Sequence, residues 1–221
     1  MTGAPTQPPI PVAILAAGAS RRLGAAKQLV RFGGRSLLAH AVATARAAGC
    51  GPVLVVLGAG ADQLRGEVGS GEGSVIANPA WAEGMAASVR VAVGAVAAEI
   101  PDAPAILFAV CDQPLMSAEL LREVVAAHRA GHDLVAAEYG GRLGVPALFT
   151  REYFGELLGL SGDEGARRVL ARHAARVRAI SFPGGVVDVD TPADAAALAR
   201  LGPTPAHEPT APTPAGEQSW R

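Results

Sequence analysis

Lysine is almost missing from this chain: of its 19 basic residues only Lys27 is a lysine, and the rest are arginines. Net charge is missing too. At a formal −1, no global field draws the chain to nucleic acid or to an anionic membrane. The 2 cysteines, Cys50 and Cys111, sit apart in apolar surroundings. That predicts two reduced, buried thiols and speaks against a disulfide framework or a cysteine metal site. No uninterrupted apolar run reaches the about 18 residues that a membrane span requires. The stretch from Met1 to Pro11 is rich in Pro, Thr and Gln and lacks an apolar signal core, so a cytoplasmic, non-exported protein is predicted. Aromatics are only 4%, which leaves Ala, Val and Leu to build the core of a chain that is 50% hydrophobic.

What is present reads as one domain of ordinary size in 221 residues. Residues 1–10 read as a flexible leader, 11–202 as the domain, and 203–221 as a disordered Pro-rich tail. Apolar runs at Val12–Ala16, Val53–Leu57, Ser74–Ala77, Ala105–Val110 and Leu134–Glu138 read as strands, and Ala147–Thr150 continues extended. Helical patterns fall between them: Ser36 to Ala48, 61–68, Met85 to Ala98, Ser117 to His128, Phe154 to Leu160, and 164–175. A last strand is expected to end in Asp188 and Asp190, on one face by the period of two. Thr191 then caps a final helix with Pro192 at its first position. Strand alternating with helix predicts an α/β three-layer sandwich with a mostly parallel, Rossmann-like sheet.

The most informative stretch follows the first strand: Ala17, Gly18, Ala19 and Ser20, then Arg21, Arg22 and, a little later, Lys27. Small residues let backbone N–H groups approach an anion closely, and two guanidinium groups and an ammonium add full positive charge. This predicts a phosphate-gripping loop at the carboxyl end of a parallel strand. The lone lysine in so arginine-rich a chain points to a task for a compact ammonium, set against chance placement of one surface cation. The interval from Gly18 to Gly24 does not fit a P-loop, and Gly18 to Arg22 lacks the closing glycine of a nucleophile elbow. Gly58-Ala59-Gly60 opens a dinucleotide fingerprint, but Gln63 occupies its third glycine position, so it reads as an ordinary turn.

Acids stand at two further strand tips. Asp112 follows the apolar run Ala105–Val110, where open α/β sheets place ligands, although a helix-capping or loop acid fits the same spot. Asp190 closes the last expected strand. Gly84 and Ser88 open a helix facing the same side, and Ser88 alone is equally a mid-helix serine bonded to its own backbone. Arg167 and Arg168 could reach a phosphate or form a solvated helix face. No Ser/His or Cys/His pairing suggests a covalent intermediate, since His40, His128 and His173 lie within helices. A cationic nest, two acids and base-contacting loops suit nucleotidyl transfer, with Mg²⁺ bridging phosphates to Asp112 and Asp190.

Leu15-Ala16-Ala17-Gly18-Ala19-Ser20-Arg21-Arg22-Leu23-Gly24 with Lys27 resembles the opening signature of the MobA-like nucleotidyltransferases. Asn78-Pro79 with Gly84 to Ser88, Cys111 to Pro114, Gly144-Val145-Pro146 and Asp188 to Pro192 match its later blocks in order. Ala16-Ala17-Gly18, where a guanylyltransferase tends to read Ala-Gly-Gly, is most similar to the molybdenum cofactor cytidylyltransferases (the MocA type). The resemblance implies CTP binding by Leu15 to Arg22 and Lys27, with Gly84 and Ser88 near the base and Asp112 in contact with the nucleotide. It implies Arg22, Lys27 and Asp112 in catalysis, Asp112 and Asp190 holding Mg²⁺, and Gly144, Pro146 and Arg167 serving the second substrate, Mo-molybdopterin. A molybdoenzyme or its maturation chaperone would be the protein partner. Leu23 replaces the family's usual Met, and Cys111 a common Gly. Two alternatives stay open: the same fold acting on GTP or on another acceptor such as a sugar phosphate, and a non-catalytic nucleotide- or cofactor-binding accessory protein.

Overall fold

A computed structural model describes residues 8–201; the first part of the expected leader and the whole expected tail lie outside the described residues. The elements in chain order are β1 (Val12–Ala16), β2 (Arg31–Phe32), β3 (Arg35–Ser36), α1 (Leu37–Ala47), β4 (Val53–Leu57), α2 (Ala61–Leu64) and β5 (Ser74–Ala77). They continue with α3 (Met85–Glu99), β6 (Ala105–Val110), α4 (Ala118–Arg129), β7 (Leu134–Tyr139), β8 (Arg142–Thr150), α5 (Phe154–Leu158), α6 (Arg167–Arg172), β9 (Val177–Ser181) and α7 (Pro192–Leu201). Seven strands form one sheet in the order β5-β4-β1-β6-β8-β7-β9, while β2 and β3 pair separately. Neighbours are parallel except at β8, which runs antiparallel to both β6 and β7.

The strands bury both faces, and alternate residues serve opposite cores. Val12, Ile14, Val55 and Leu107 pack with Leu38, Val42, Leu121 and Val124 of α1 and α4. Ala13, Leu54, Ile106 and Phe108 pack instead with Val89, Val93, Leu157 and Leu170 of α3, α5 and α6. Helices therefore cover the sheet on each side, as the alternating pattern required. Local caps set the helix starts: Ser36 Oγ accepts the Ala39 N–H at 3.1 Å and Ser117 Oγ the Leu120 N–H at 3.2 Å. Ile10, placed by the sequence in the leader, is 3% exposed and joins the α1/α4 core. No helix among the described residues is long and apolar enough to cross a membrane.

Two expectations are corrected, and one strand is added. The strand expected to end in Asp188 and Asp190 does not form: Pro183–Val186 makes a turn of 3-10 helix and the following residues pair with no strand. Buried Val189 anchors this segment instead, its N–H donating to the Asp112 carbonyl at 3.1 Å. The helix expected over 164–175 shrinks to α6, which starts after Ala166 with no side-chain cap and gives way to a 3-10 turn at Ala174–Arg176. The chain beyond it forms β9, an edge strand whose half-exposed pattern gave little apolar signal.

His40 on α1 is half-buried, with Nε2 placed 3.0 Å from the Pro114 carbonyl. Burial, aided by the Arg35 charge and opposed by the Pro114 bond, pulls its pKa below 6.5. The unfolded chain then binds more protons than the folded one as acidity increases. Stability is therefore full above the unfolded value and falls as pH drops through the folded value. Urea midpoints taken from about pH 7.5 to about pH 5.5 should decline, and His40→Gln should flatten that decline.

Candidate active site

The carboxyl tips of β1 and β6 and the start of α3 enclose a cavity of about 420 Å³, lined by Leu15 to Ala19, Arg21, Lys27, Gly84, Ser88 and Asp112. Most of the residues singled out from the sequence thus share one hollow. Ser20 and Arg22 do not line it. Ser20 sits behind the loop at φ +51°, and Arg22, 72% exposed, reaches over the rim to Asp190 Oδ2 at 2.6 Å.

The loop after β1 is polarised. The Ala16 and Gly18 carbonyls accept from the Gln28 side chain, the Ala17 carbonyl from Ala59 N–H, and the Ser20 carbonyl from the Leu23 and Gly24 N–H groups. Among the described residues, the N–H groups of Gly18 through Arg22 donate to nothing. A surplus of free donors beside two arginines is what a polyanion requires. A Cβ on Gly18 would meet no protein atom within 4 Å. Packing does not demand glycine there, and its lack of a side chain leaves the backbone open to close approach from the cavity.

Lys27 opens the short 3-10 turn Lys27–Leu29 and turns its ammonium onto two carboxylates. Nζ pairs with Asp112 Oδ2 and lies 3.0 Å from Asp190 Oδ1. Burial alone would lower the pKa of this ammonium, but Asp112 and Asp190 together outweigh it and the net shift is upward. The two acids, 78 positions apart in the chain, therefore meet at the position of one cation. No group of three or more His, Cys, Asp or Glu among the described residues could hold a metal alone. Two carboxylates around a single cationic centre nevertheless suit a hard divalent ion that takes its remaining oxygens from phosphate. Asp188 lies beside them; burial, then the Asp190 and Asp112 charges, raises its pKa.

Gly84 caps α3 at φ +112°, and a Cβ there would fall 2.6 Å from Asp163 Oδ1. Glycine thus lets the 161–165 loop close against the helix, tied by Ala86 N–H to the Gly162 carbonyl at 3.1 Å. One helical turn on, Ser88 is 4% exposed and its Oγ accepts from Asn78 Nδ2 at 3.0 Å. Asn78 Oδ1 accepts the Ala80 N–H, which fixes the amide's orientation. The Ser88 hydroxyl makes no other hydrogen bond among the described residues and lies on the cavity wall.

A second cavity of about 320 Å³ adjoins the acids and is lined by Gln113, Tyr139, Gly140, Arg142, Arg167, Gly185, Val186 and Asp188. Arg167 is there, its Nε donating to the Leu143 carbonyl at 3.1 Å. Gly144 and Pro146 line neither of these cavities; both are buried within β8, with Gly144 against the Tyr139 hydroxyl. Sequence reasoning missed Gln28, Trp81 and Asp163, all on the first cavity. Trp81 had a signal: it is one of 2 tryptophans, set between Asn78-Pro79 and Gly84. A Cβ on Gly58 would lie 2.8 Å from the Ala17 carbonyl and collide with Trp81, so the Gly58-Ala59-Gly60 turn is structural.

The family model described as the MobA-like NTP transferase domain matches residues 12–177. The chain belongs to that family. Rv0371c of Mycobacterium tuberculosis H37Rv has a similar crystal structure: 32% identity, TM-score 0.75, covering 88% of this MobA-like chain and 100% of that one. A structure of Rv0371c in complex with manganese matches at 31% identity and TM-score 0.70, over 86% of this chain and 97% of that one. Nicotine blue oxidoreductase of Paenarthrobacter nicotinovorans is 34% identical over 125 residues, which is 56% of this chain and 59% of that protein. The chain thus spans less than two thirds of that relative's length.

Proposed function

We propose that this chain transfers CMP from CTP to Mo-molybdopterin and releases pyrophosphate, in a Mg²⁺-dependent reaction. The observation that carries the reading is Lys27 held between Asp112 and Asp190 at the edge of the donor-rich loop. The free N–H groups of Gly18 to Arg22, with Arg21, would bind and orient the triphosphate, and Arg22 and Lys27 would offset its charge. Asp112 and Asp190 would hold Mg²⁺, whose contribution when bound is to neutralise phosphate charge. The manganese complex of Rv0371c supports a divalent ion in the family. An oxygen of the acceptor's phosphate attacks the α-phosphorus of CTP, the bond to the β-phosphate breaks, and pyrophosphate departs. Alignment and charge neutralisation suffice for such chemistry.

Base choice is supported by the wall at α3. Ser88 would donate and the Asp163 carboxylate would accept, which suits a base edge carrying an amino group next to a ring acceptor, as cytosine does and uracil does not. Ala17, in place of the glycine of the guanylyl branch, favours cytosine over guanine by resemblance. The second cavity, with Arg142 and Arg167, would take the acceptor; Gly144 and Pro146 would shape it from within β8. Pyrophosphate release should be fastest with CTP and Mo-molybdopterin when each nucleoside triphosphate is offered with a panel of phosphorylated acceptors. Release that is equal for CTP and UTP, or faster with a sugar phosphate, would replace this reading.

A further inference from the structure

Gln28 is 1% exposed, yet its amide is fully engaged with the loop after β1. Nε2 donates to the Ala16 carbonyl at 2.8 Å and to the Gly18 carbonyl at 3.0 Å, and Oε1 accepts the Ser20 hydroxyl at 3.4 Å. Ser20 Oγ in turn accepts the Lys27 N–H at 3.0 Å. One buried side chain therefore meets both ends of the turn and, through Ser20, the residue whose ammonium sits on the acids. An anion nest has a steric and electrostatic condition: its carbonyls must face away from the anion for its N–H groups to face toward it. A carbonyl oxygen turned into the cavity would repel a phosphate oxygen at close range. Gln28 supplies the donors that occupy two of those carbonyls, so that neither stands unpaired against an anion.

We propose that Gln28 is a positioning residue of the phosphate site, engaging the Ala16 and Gly18 carbonyls so that the loop turns its free N–H groups to a polyphosphate. This rests on the nucleotide reading of the cavity. Gln28 touches no reacting atom; it acts through the Ala16 and Gly18 carbonyls. Its effect should fall on the phosphate portion of a ligand and leave the base portion alone.

The test compares the full-length chain with Gln28→Met and Gln28→Glu by calorimetric titration of inorganic tripolyphosphate and, separately, of cytidine, in Mg²⁺. Gln28→Met should lose roughly ten- to hundredfold in tripolyphosphate affinity while cytidine binding stays within about twofold. In Gln28→Glu, a protonated carboxyl regains one donor. Its tripolyphosphate affinity relative to the unmodified chain should therefore recover as pH falls while its relative cytidine affinity stays level, whereas a general structural defect moves both ratios together. The glutamate variant also decides the matter if the methionine variant does not fold. Unchanged tripolyphosphate binding in a folded Gln28→Met, parallel loss of cytidine, or a pH-independent ratio overturns the inference and leaves the nucleotide reading standing. Failure of the unmodified chain to bind tripolyphosphate removes that reading and the role of Gln28 with it.

Discussion

Asp112→Asn should retain the fold and lose about a hundred- to a thousandfold in turnover. The side chain sits at the tip of β6, is 19% exposed, and shares the Lys27 ammonium with Asp190. Asparagine keeps the shape and removes the charge, so the divalent ion proposed to be shared with phosphate oxygens would lose one of its two protein carboxylates. Asp190 still pairs with Lys27 and Arg22 in the variant, which keeps the neighbouring loop in place. Steady-state pyrophosphate release gives the first number and a thermal melt the second. A variant that melts normally and turns over at the original rate would take Asp112 out of the mechanism.

Lys27→Met should move two observables in opposite directions. Turnover should fall by about a hundredfold or more, because the point charge proposed to offset the triphosphate is lost. Binding of Mn²⁺ without nucleotide should strengthen by about tenfold, because the ammonium no longer holds the space between Asp112 and Asp190. The variant should also melt lower in metal-free buffer, where two neighbouring carboxylates lack their shared counter-charge, and recover on addition of Mn²⁺. Electron paramagnetic resonance titration of free Mn²⁺ separates this from simple unfolding. Equal Mn²⁺ affinity in both proteins would show that the lysine does not compete for the acids.

Much of this arrangement was legible in the chain. β1 and β6 are unbroken apolar runs, and a buried parallel strand has no other use for such a run. Lys27 stood out because arginine fills every other basic position, and Asp112 because it follows a buried strand directly. Gln28 was not legible, since a glutamine before an extended piece looks like any polar loop residue and only the fold brings it under Ala16 and Gly18. Asp163 was hidden for a related reason: its approach to Gly84 depends on the 161–165 loop closing across the start of α3. β9 escaped because an edge strand spends half its residues on solvent, and the strand expected at Asp188 and Asp190 failed because Gly184 and Gly185 curl the chain before it.

The direction of β8 divides the labour of the cleft. A strand running against β6 begins where β6 ends, so the β7–β8 hairpin, with Tyr139 paired to Arg142, projects beside Asp112 at the edge of the sheet that carries the β1 loop. The parallel half of the sheet thereby builds one bank of the channel and the reversed strand the other. Gly140 and Gly141, at φ +56° and +70°, turn the chain on the far bank, clear of the lysine and loop on the near one. A family could in this way exchange what is modified while keeping how it is activated.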